Sequence, residues 1–485
     1  MNVRIHENPK LVVCMVYVIA MFMVSMDGTI VNVILPVIGQ EFNVIPSATS
    51  GINIGYLVSL AVFLPISGWL GDRYGTKKIF LLALVVFTLA SLLCGFATNL
   101  ETLTLFRALQ GAGGGLLTPV GMAILFRTFS QKERMKVSRT LVLPIAFAPA
   151  IGPVVGGFFA EQLSWSWAFY INIPFGIIAF LIGLLFLKEH KEPSAGRLDL
   201  TGFLLSAAGL SMVMYALSTG PSKGWSSPVI MYTGLIGFIL VCLFVWRELR
   251  VKEPMLDLSL LSDKLFRSLG LISLLSQAAL MGMLFIFPLM YQNAMNASAL
   301  DSGLATFPEA LGLMVASRMI PWTFKKLNGQ QVICLGLLGT ALIFVLISIV
   351  GPTANPWSLR LLLFSVGICL GHAVIAVQSS IFTNITSASM GRATTLFNVQ
   401  NRFGSAVGVA VLASVLGALG TSEVARNGIE QSNLASYQYA LLGSSVFLVI
   451  GITISLRLKK EDFKSILPSQ QSTEIPKTEP VRMSK

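Results

Sequence analysis

A chain of 485 residues that is 54% hydrophobic and only 12% charged has too little polar side-chain surface to cover a soluble globule. A soluble enzyme is thereby excluded and a membrane-embedded chain is indicated. The net charge of +12 could suggest a nucleic-acid partner, but the placement of the basic residues argues against one.

A helix that crosses about 30 Å of hydrocarbon needs roughly 20 mostly apolar residues. Runs of that kind fall at 11–35, 48–70, 78–97, 102–126, 138–161, 168–187, 200–218, 228–246, 267–291, 302–322, 331–350, 358–380, 392–420 and 435–456, which predicts fourteen transmembrane helices. With the amino terminus inside, the cytoplasmic connections carry Arg73, Lys77 and Lys78, then Arg127, Lys132, Arg134, Lys136 and Arg139, then Lys188, Lys191 and Arg197. They go on to Arg247, Arg250, Lys252, Lys264 and Arg267, and to Lys325 and Lys326. The opposite side holds Lys223, Arg426 and, at a helix mouth, Arg360. This is the positive-inside asymmetry that orients membrane proteins, so the basic surplus is topology and both termini are expected in the cytoplasm.

The first span is too long for a signal-peptide core and is expected to stay attached as the first helix. Cys14, Cys94, Cys242, Cys334 and Cys369 all fall inside predicted spans, apart from one another, which favours buried packing over metal ligation or disulfides. The helices divide as six, two and six: an amino-terminal bundle over 1–199, an inserted hairpin over 200–246, a second bundle over 247–456, and a disordered cytoplasmic tail over 457–485. Basic turns recur after the second helix of each six, Asp72-Arg73-Tyr74-Gly75 and Lys325-Lys326-Leu327-Asn328, a weak echo of the kind duplicated transporter halves leave.

Several motifs narrow this reading. Gly68-Trp69-Leu70-Gly71-Asp72-Arg73-Tyr74-Gly75-Thr76-Lys77-Lys78 places a Gly-Asp-Arg-aromatic-Gly turn and a basic cluster between two apolar runs. It resembles the loop between helices 2 and 3 of the major facilitator superfamily. Arg107-Ala108-Leu109-Gln110-Gly111-Ala112-Gly113 is similar to the superfamily's Arg-x-x-Gln-Gly-x-Gly signature, and Gly152-Pro153-Val154-Val155-Gly156-Gly157 to the Gly-Pro-x-x-Gly-Gly motif of exporters. Asp27-Gly28-Thr29-Ile30-Val31-Asn32 and Phe169-Tyr170-Ile171-Asn172-Ile173-Pro174-Phe175-Gly176 resemble the fourteen-helix drug:proton antiporter branch, the EmrB/QacA type. Two positions depart from that pattern: Trp165-Ser166-Trp167 stands for Trp-Arg-Trp, and Asn401-Arg402-Phe403-Gly404 has its arginine displaced by one place, about 100° around a helix. The resemblance implies an all-α integral membrane protein with the major facilitator fold, 14 transmembrane helices as 6+2+6, in two pseudo-symmetric bundles.

An ionised side chain at the bilayer centre costs at least ~2.5 kcal/mol and is usually kept for a pathway or a proton relay. Asp27 and Glu309 are the acids placed well inside spans, with Arg107 and Arg402 as possible basic partners. Helices 1 and 4 line the central cavity in the resembled superfamily, so Asp27 is expected to meet Arg107, either as a proton-coupling pair or as a fixed neutralising one. Glu309 lies nine positions from Arg318, on the opposite helix face, and therefore needs another helix, a proton or a cationic ligand, unless it is a hydrogen-bonded structural group beside Pro308. Proton coupling is thus assigned to Asp27, Arg107 and Glu309. Substrate contact is assigned to Glu309, Asn32, Gln277, Arg402 and His372, although a lone histidine of the last kind is more often a packed helix residue.

Gly68, Asp72, Arg73 and Gly75, with Arg392, are the expected conformational gate: the resemblance sets Asp72 at the positive end of the eleventh core helix, where Arg392 would reinforce it. The alternative is a solvated turn. Gly152, Pro153, Gly156 and Gly157 are expected to give close helix packing and a pivot. The function expected is proton-coupled efflux of small amphipathic, cationic compounds through a bacterial cytoplasmic membrane, by a monomer with no cofactor and no nucleic-acid partner. Transport of a dedicated metabolite or organic anion is the alternative. No Gly-x-x-x-x-Gly-Lys-Ser/Thr loop suggests ATP hydrolysis.

The topology is testable by impermeant cysteine labelling on a cysteine-free background. Position 223 should label from outside, and positions 139 and 326 from inside; labelling of 223 only from the cytoplasm would exclude the inserted hairpin.

Overall fold

The computed structural model describes residues 9–44, 49–130, 133, 137, 147–148, 151–152, 154–192, 196–251, 254–295, 297, 299–350, 355–420, 422–424, 430–459 and 463. The chain is a succession of helices: α1 (Pro9–Glu41), α2 (Ser50–Tyr74), α3 (Thr76–Gly95), α4 (Leu100–Thr128), α5 (154–162), α6 (Trp167–Tyr170), α7 (Asn172–Phe186), α8 (Leu200–Lys223) and α9 (Pro228–Glu248). There follow α10 (Lys264–Leu289), α11 (Ala299–Lys326), α12 (Gly329–Val350), α13 (Pro356–Ser380), α14 (Met390–Leu419) and α15 (Leu434–Leu456). Several starts are fixed by a short polar side chain that accepts a first-turn N–H. Asn99 caps α4 through Thr102 N at 2.8 Å, Asp263 caps α10 through Phe266 N at 2.7 Å, and Asn355 caps α13 through Trp357 N at 3.0 Å.

Twelve stretches among the described residues are long and apolar enough to cross a membrane, α6 with α7 counting as one. Two expected spans are not among them. Half of the run 138–161 lies outside the described residues, and 302–322 falls in α11, a helix of 28 residues that carries Asp301, Glu309, Arg318, Lys325, Lys326 and two prolines. The expected tail lies outside the described residues beyond Lys459, apart from Phe463. A small feature was not anticipated: β1 (Ser422–Val424) pairs antiparallel with β2 (Glu430–Ser432) between α14 and α15, with Glu423 opposite Gln431.

The helices pack in two groups. In the first, α4 lies against α2 and α3, and α7 against α1 and α3. In the second, α10 lies against α14 and α15, α13 against α11 and α12, and α12 against α15. Between them α8 touches α2 on one side and α14 on the other, while α9 packs on α8. The outward side of α9 exposes Val229, Met231, Tyr232, Leu235, Phe238, Ile239 and Trp246, a surface suited to lipid. Cys242 is on this exposed surface, which corrects the expectation that every cysteine is buried.

Asp199 and Arg247 close the foot of this hairpin with bonds of 2.7 to 2.9 Å. Burial pushes the Asp199 carboxyl up, but the Arg247 guanidinium and the first N–H groups of α8 outweigh it and hold the group below the usual carboxylate range. Halfway up, Gly209 and Gly237 let α8 and α9 touch backbone to backbone. A Cβ at Gly237 would stand 2.9 Å from Met212 Cβ and from Val213 N, and the obstacle at the latter is backbone. Gly237→Val should therefore destabilise the hairpin by about 1–3 kcal/mol, read as a lower thermal midpoint in detergent.

Candidate functional site

The buried centre of the first helix group is built on Asp27 of α1 and Arg107 of α4, 0% and 1% exposed. Arg107 Nη1 donates to Asp27 Oδ2 at 2.5 Å and to Gln110 Oε1 at 2.5 Å. Gln110 Nε2 donates to Asp27 Oδ1 at 2.8 Å and to Ser91 Oγ of α3 at 2.7 Å, which closes a ring of three side chains. Asn172 Nδ2, at the start of α7, reaches Asp27 Oδ1 at 3.3 Å. The guanidinium also lies over the ring of Tyr56 on α2, 4.3 Å from its centroid, with Phe169 of α6 at 5.8 Å. Two buried charges are tolerable only when paired and hydrogen-bonded; the ring satisfies both carboxylate oxygens and Arg107 Nη1, while Arg107 Nε is buried with no partner among the described residues.

Glycines bring the helices close enough for it. At Gly111 the α4 backbone rests on the carbonyl of Tyr56, and a Cβ at Gly115 would be 2.8 Å from Leu60 O, so α4 and α2 are in direct backbone contact. A Cβ at Gly113 would meet Phe87 N of α3 at 2.8 Å. Gly152 and Gly156 rest on Met26, Thr29 and Ile30, the turn of α1 that carries Asp27. Gly157 faces open space and takes no part in this packing, contrary to expectation, and Pro153 lies outside the described residues.

The expected substrate residues are spread over separate helices. Glu309 of α11 is 6% exposed, and among the described residues no hydrogen bond or ion pair reaches its carboxylate. His372 of α13 stands 3.1 Å from Thr323 Oγ1 through Nε2 and 2.8 Å from Ile368 O through Nδ1, so its ring is held by its own helix and α11. Gln277 of α10 keeps a buried Oε1 with no partner among the described residues. Arg402 of α14 is half-buried, and its charge acts on the Tyr56 phenol from the other helix group. Asn401 beside it accepts from Ser273 Oγ at 2.7 Å. Asn32 lies in α1, its side chain outside the described residues.

A second constellation occupies the basic end of the helices. Asp72, expected in a turn, belongs to the last turn of α2 and is 1% exposed, which rules out a solvated turn. Its partner is Arg127 at the end of α4, at 2.8 Å. Arg127 Nε also donates to Ser387 O, in the second helix group, at 3.1 Å. Arg392 does not bond Asp72, because the α14 turn facing Asp72 presents Gly391; it lies 3.9 Å from Asp257, and only its charge favours the Asp72 carboxylate, as the expected reinforcement requires. There the two groups touch closely: a Cβ at Gly68 would meet Thr395 Oγ1 at 2.6 Å and Gly391 O at 2.9 Å, and Ser67 Oγ pairs with Thr395 Oγ1 at 3.1 Å.

Gly75 has φ 110°, and a Cβ there would run into the Glu189 carboxylate. That carboxylate accepts from Lys77 N at 3.0 Å and Lys78 N at 3.2 Å, favoured by the positive end of α3. Thr76 N donates to His190 O and Glu192 N to Asp72 O, each at 2.9 Å, so residues 189–192 strap the motif from below. Arg73 is exposed. Gln110 and Asn172 were within reach of the sequence, since both stand inside quoted motifs, whereas Ser91, Tyr56, Arg127 and Glu189 carried no comparable signal.

This architecture, spanning helices in two groups around buried charge, agrees with what known proteins show. The Major Facilitator Superfamily profile matches residues 17–409. The chain belongs to the major facilitator superfamily. It is 28% identical over 451 residues to a protein of Escherichia fergusonii provisionally named multidrug resistance protein MdtD, covering 93% of this chain and 95% of that one. It is also 32% identical over 334 residues to the uncharacterised MFS-type transporter YhcA of Bacillus subtilis, covering 69% of this chain and 63% of the relative. Among solved structures, the human organic anion transporter MFSD10 (TETRAN) superposes with a TM-score of 0.66 at 16% identity, over 92% of this chain and 99% of that one, a likeness of fold alone. The protein is therefore a multi-pass membrane transporter of a small molecule, homologous to MdtD-type proteins.

The basic-end contacts predict a conformational effect. Asp72→Asn leaves Arg127 buried without a counter-charge, a loss of about 3–5 kcal/mol for a buried pair. Spin labels placed on the basic ends of α2 and α14 should show a larger separated population in the variant.

Proposed function

We propose that this transporter exports small amphipathic, cationic compounds in exchange for protons across a bacterial cytoplasmic membrane, by alternating access. The observation that carries the reading is the Asp27–Arg107 pair, sealed among apolar helices. A carboxylate in such a place is expensive unless its charge is used. A proton from outside neutralises Asp27 and frees Arg107 to lean on Gln110 and the Tyr56 ring; loss of that proton to the cytoplasm restores the pair. The membrane field adds roughly 2.3 kcal/mol per charge per 100 mV. Glu309, with no cationic partner among the described residues, is the acid that receives a cationic substrate.

In the same proposal the chain is a fourteen-helix antiporter, with α11 and the run 138–161 as the spans beyond the twelve, a hairpin over 200–246, and bundles over 1–199 and 247–456. The termini lie in the cytoplasm in this reading, so the packed basic end is the cytoplasmic gate and its closure belongs to the outward-facing arrangement. The provisional naming of the MdtD relatives for multidrug resistance supports a drug-like substrate. Transport of an organic anion is the second reading, favoured by Arg402, which has no carboxylate partner among the described residues.

Proteoliposomes with an imposed pH gradient test both, with ethidium as the cationic probe and an anionic dye as its counterpart. Asp27→Asn should abolish proton-driven accumulation, and Glu309→Gln should weaken ethidium transport at least tenfold while sparing neutral compounds. Full pH-driven exchange by Asp27→Asn would overturn the coupling assignment, and equal effects of Glu309→Gln on neutral and cationic probes would overturn the cation site.

A further inference from the structure

Asp27 must be accommodated in two protonation states, and these ask for opposite partners. A carboxylate wants donors, whereas a protonated carboxyl carries an O–H that needs an acceptor. Two of its three hydrogen-bond partners are groups whose acceptors are absent or engaged. Arg107 only donates. Gln110 uses Oε1 to accept from Arg107 and Nε2 to serve Asp27 and Ser91. Asn172 differs: its Nδ2 faces Asp27 Oδ1 at 3.3 Å, the longest of these bonds, while its Oδ1 is buried with no partner among the described residues. Its residue is 0% exposed. An orphan carbonyl oxygen of this kind is uncommon in a folded interior and calls for an explanation.

We infer that Asn172 is a positioning residue for the coupling proton, turning its amide to accept from Asp27 when that carboxyl is protonated. The inference rests on the reading of Asp27 as the coupling acid. When a proton binds Asp27 Oδ1, an O–H bond forms and the Nδ2 donor becomes superfluous. Half a turn about the terminal torsion replaces it with Oδ1, and the O–H donates there. When the proton leaves to water, the amide turns back and Nδ2 again donates to the carboxylate. No other covalent bond is made or broken. That torsion is broad and roughly two-fold, so both orientations are accessible without rotamer strain.

The location suits the role, because Asn172 opens α7 just after the break at Ile171 that separates it from α6, and it meets Asp27 Oδ1, the oxygen that Arg107 does not bond. The titratable or charged groups that act in this neighbourhood are Arg107 of α4, Cys94 of α3 and Tyr56 of α2, with Arg402 of α14 acting on Tyr56. Asn172 is the amide among Asp27's partners with acceptor capacity to spare.

The purified full-length chain in lipid tests this without knowledge of the substrate. The infrared band of a protonated carboxyl that Asp27→Asn removes is titrated with pH in the parent and in Asn172→Leu. Leucine removes both bonds, but the donor bond to the carboxylate is long, 3.3 Å, and Gln110 Nε2 still serves that oxygen, so loss of the acceptor dominates and should move the midpoint about one pH unit down, a tenfold loss of proton affinity; a packing role alone would lower yield or thermal stability and leave the midpoint in place. Asn172→Ser, too short to reach Asp27, should give the same shift if the leucine variant inserts poorly. An unmoved or raised midpoint in the inserted variants would overturn the inference. Proton-driven ethidium exchange retained by Asp27→Asn would instead overturn the coupling reading, so the two failures are told apart.

Discussion

Holding Asp27 and Arg107 together out of water is the constraint on which the first helix group is organised. Separated, either charge would be intolerable among apolar side chains; together they need further hydrogen bonds, because one ion pair leaves lone pairs and N–H groups unsatisfied. Gln110, Ser91 and Asn172 supply them from α4, α3 and α7. Since those groups are short, the helices that carry them must approach closely. The glycines at 111, 113 and 115 of α4, and at 152 and 156 facing α1, permit that approach. Packing and polarity are therefore a single requirement here, and a side chain added at one of these glycines would act on the charge pair through the backbone.

The second charge pair is of a different kind. Asp27 and Arg107 belong to one helix group, whereas Arg127 joins Asp72 in that group to Ser387 in the other. The first can change its protonation without moving the groups apart; the second must give way if they are to separate. Glycine-to-glycine contact of α2 with α14 at Gly68 and Gly391 makes the closed arrangement tight, and small-residue interfaces of this sort lack the interdigitated side chains that would lock them. The strap at 189–192 tethers the foot of α2 through Glu192 N, which donates to Asp72 O. The helix α8, which follows later in the chain, lies between the two groups and packs on α2 and α14.

Much of this was open to reading in the residues themselves. Apolar runs of membrane length, the sidedness of lysine and arginine, and the rarity of acids inside those runs follow from solvation energy, which acts on each residue locally. Asp27, Arg107 and Glu309 stand out by that test, whereas Asp72 stands out by the motif that carries it. Periodicity and composition say little about partners, however. Arg392 and Arg127 are equally basic and equally close to helix ends, and the choice between them as the partner of Asp72 depends on which α14 residue faces α2. Because Gly391 takes that place, Arg392 is directed toward Asp257.

Sequence alone thus determined that the chain is a helical membrane protein and which of its buried charges need an explanation, because burying a charge is costly whatever surrounds it. Tertiary structure decided how each charge is satisfied: the ring through Gln110, the unpaired oxygen of Asn172, the arginine that joins Asp72 to Ser387, and the glutamate beneath Gly75. Those depend on distances of 2.5 to 3.3 Å between residues that lie from three to 260 positions apart in the chain. Such distances are set by how helices pack, and no local pattern of residues specifies them.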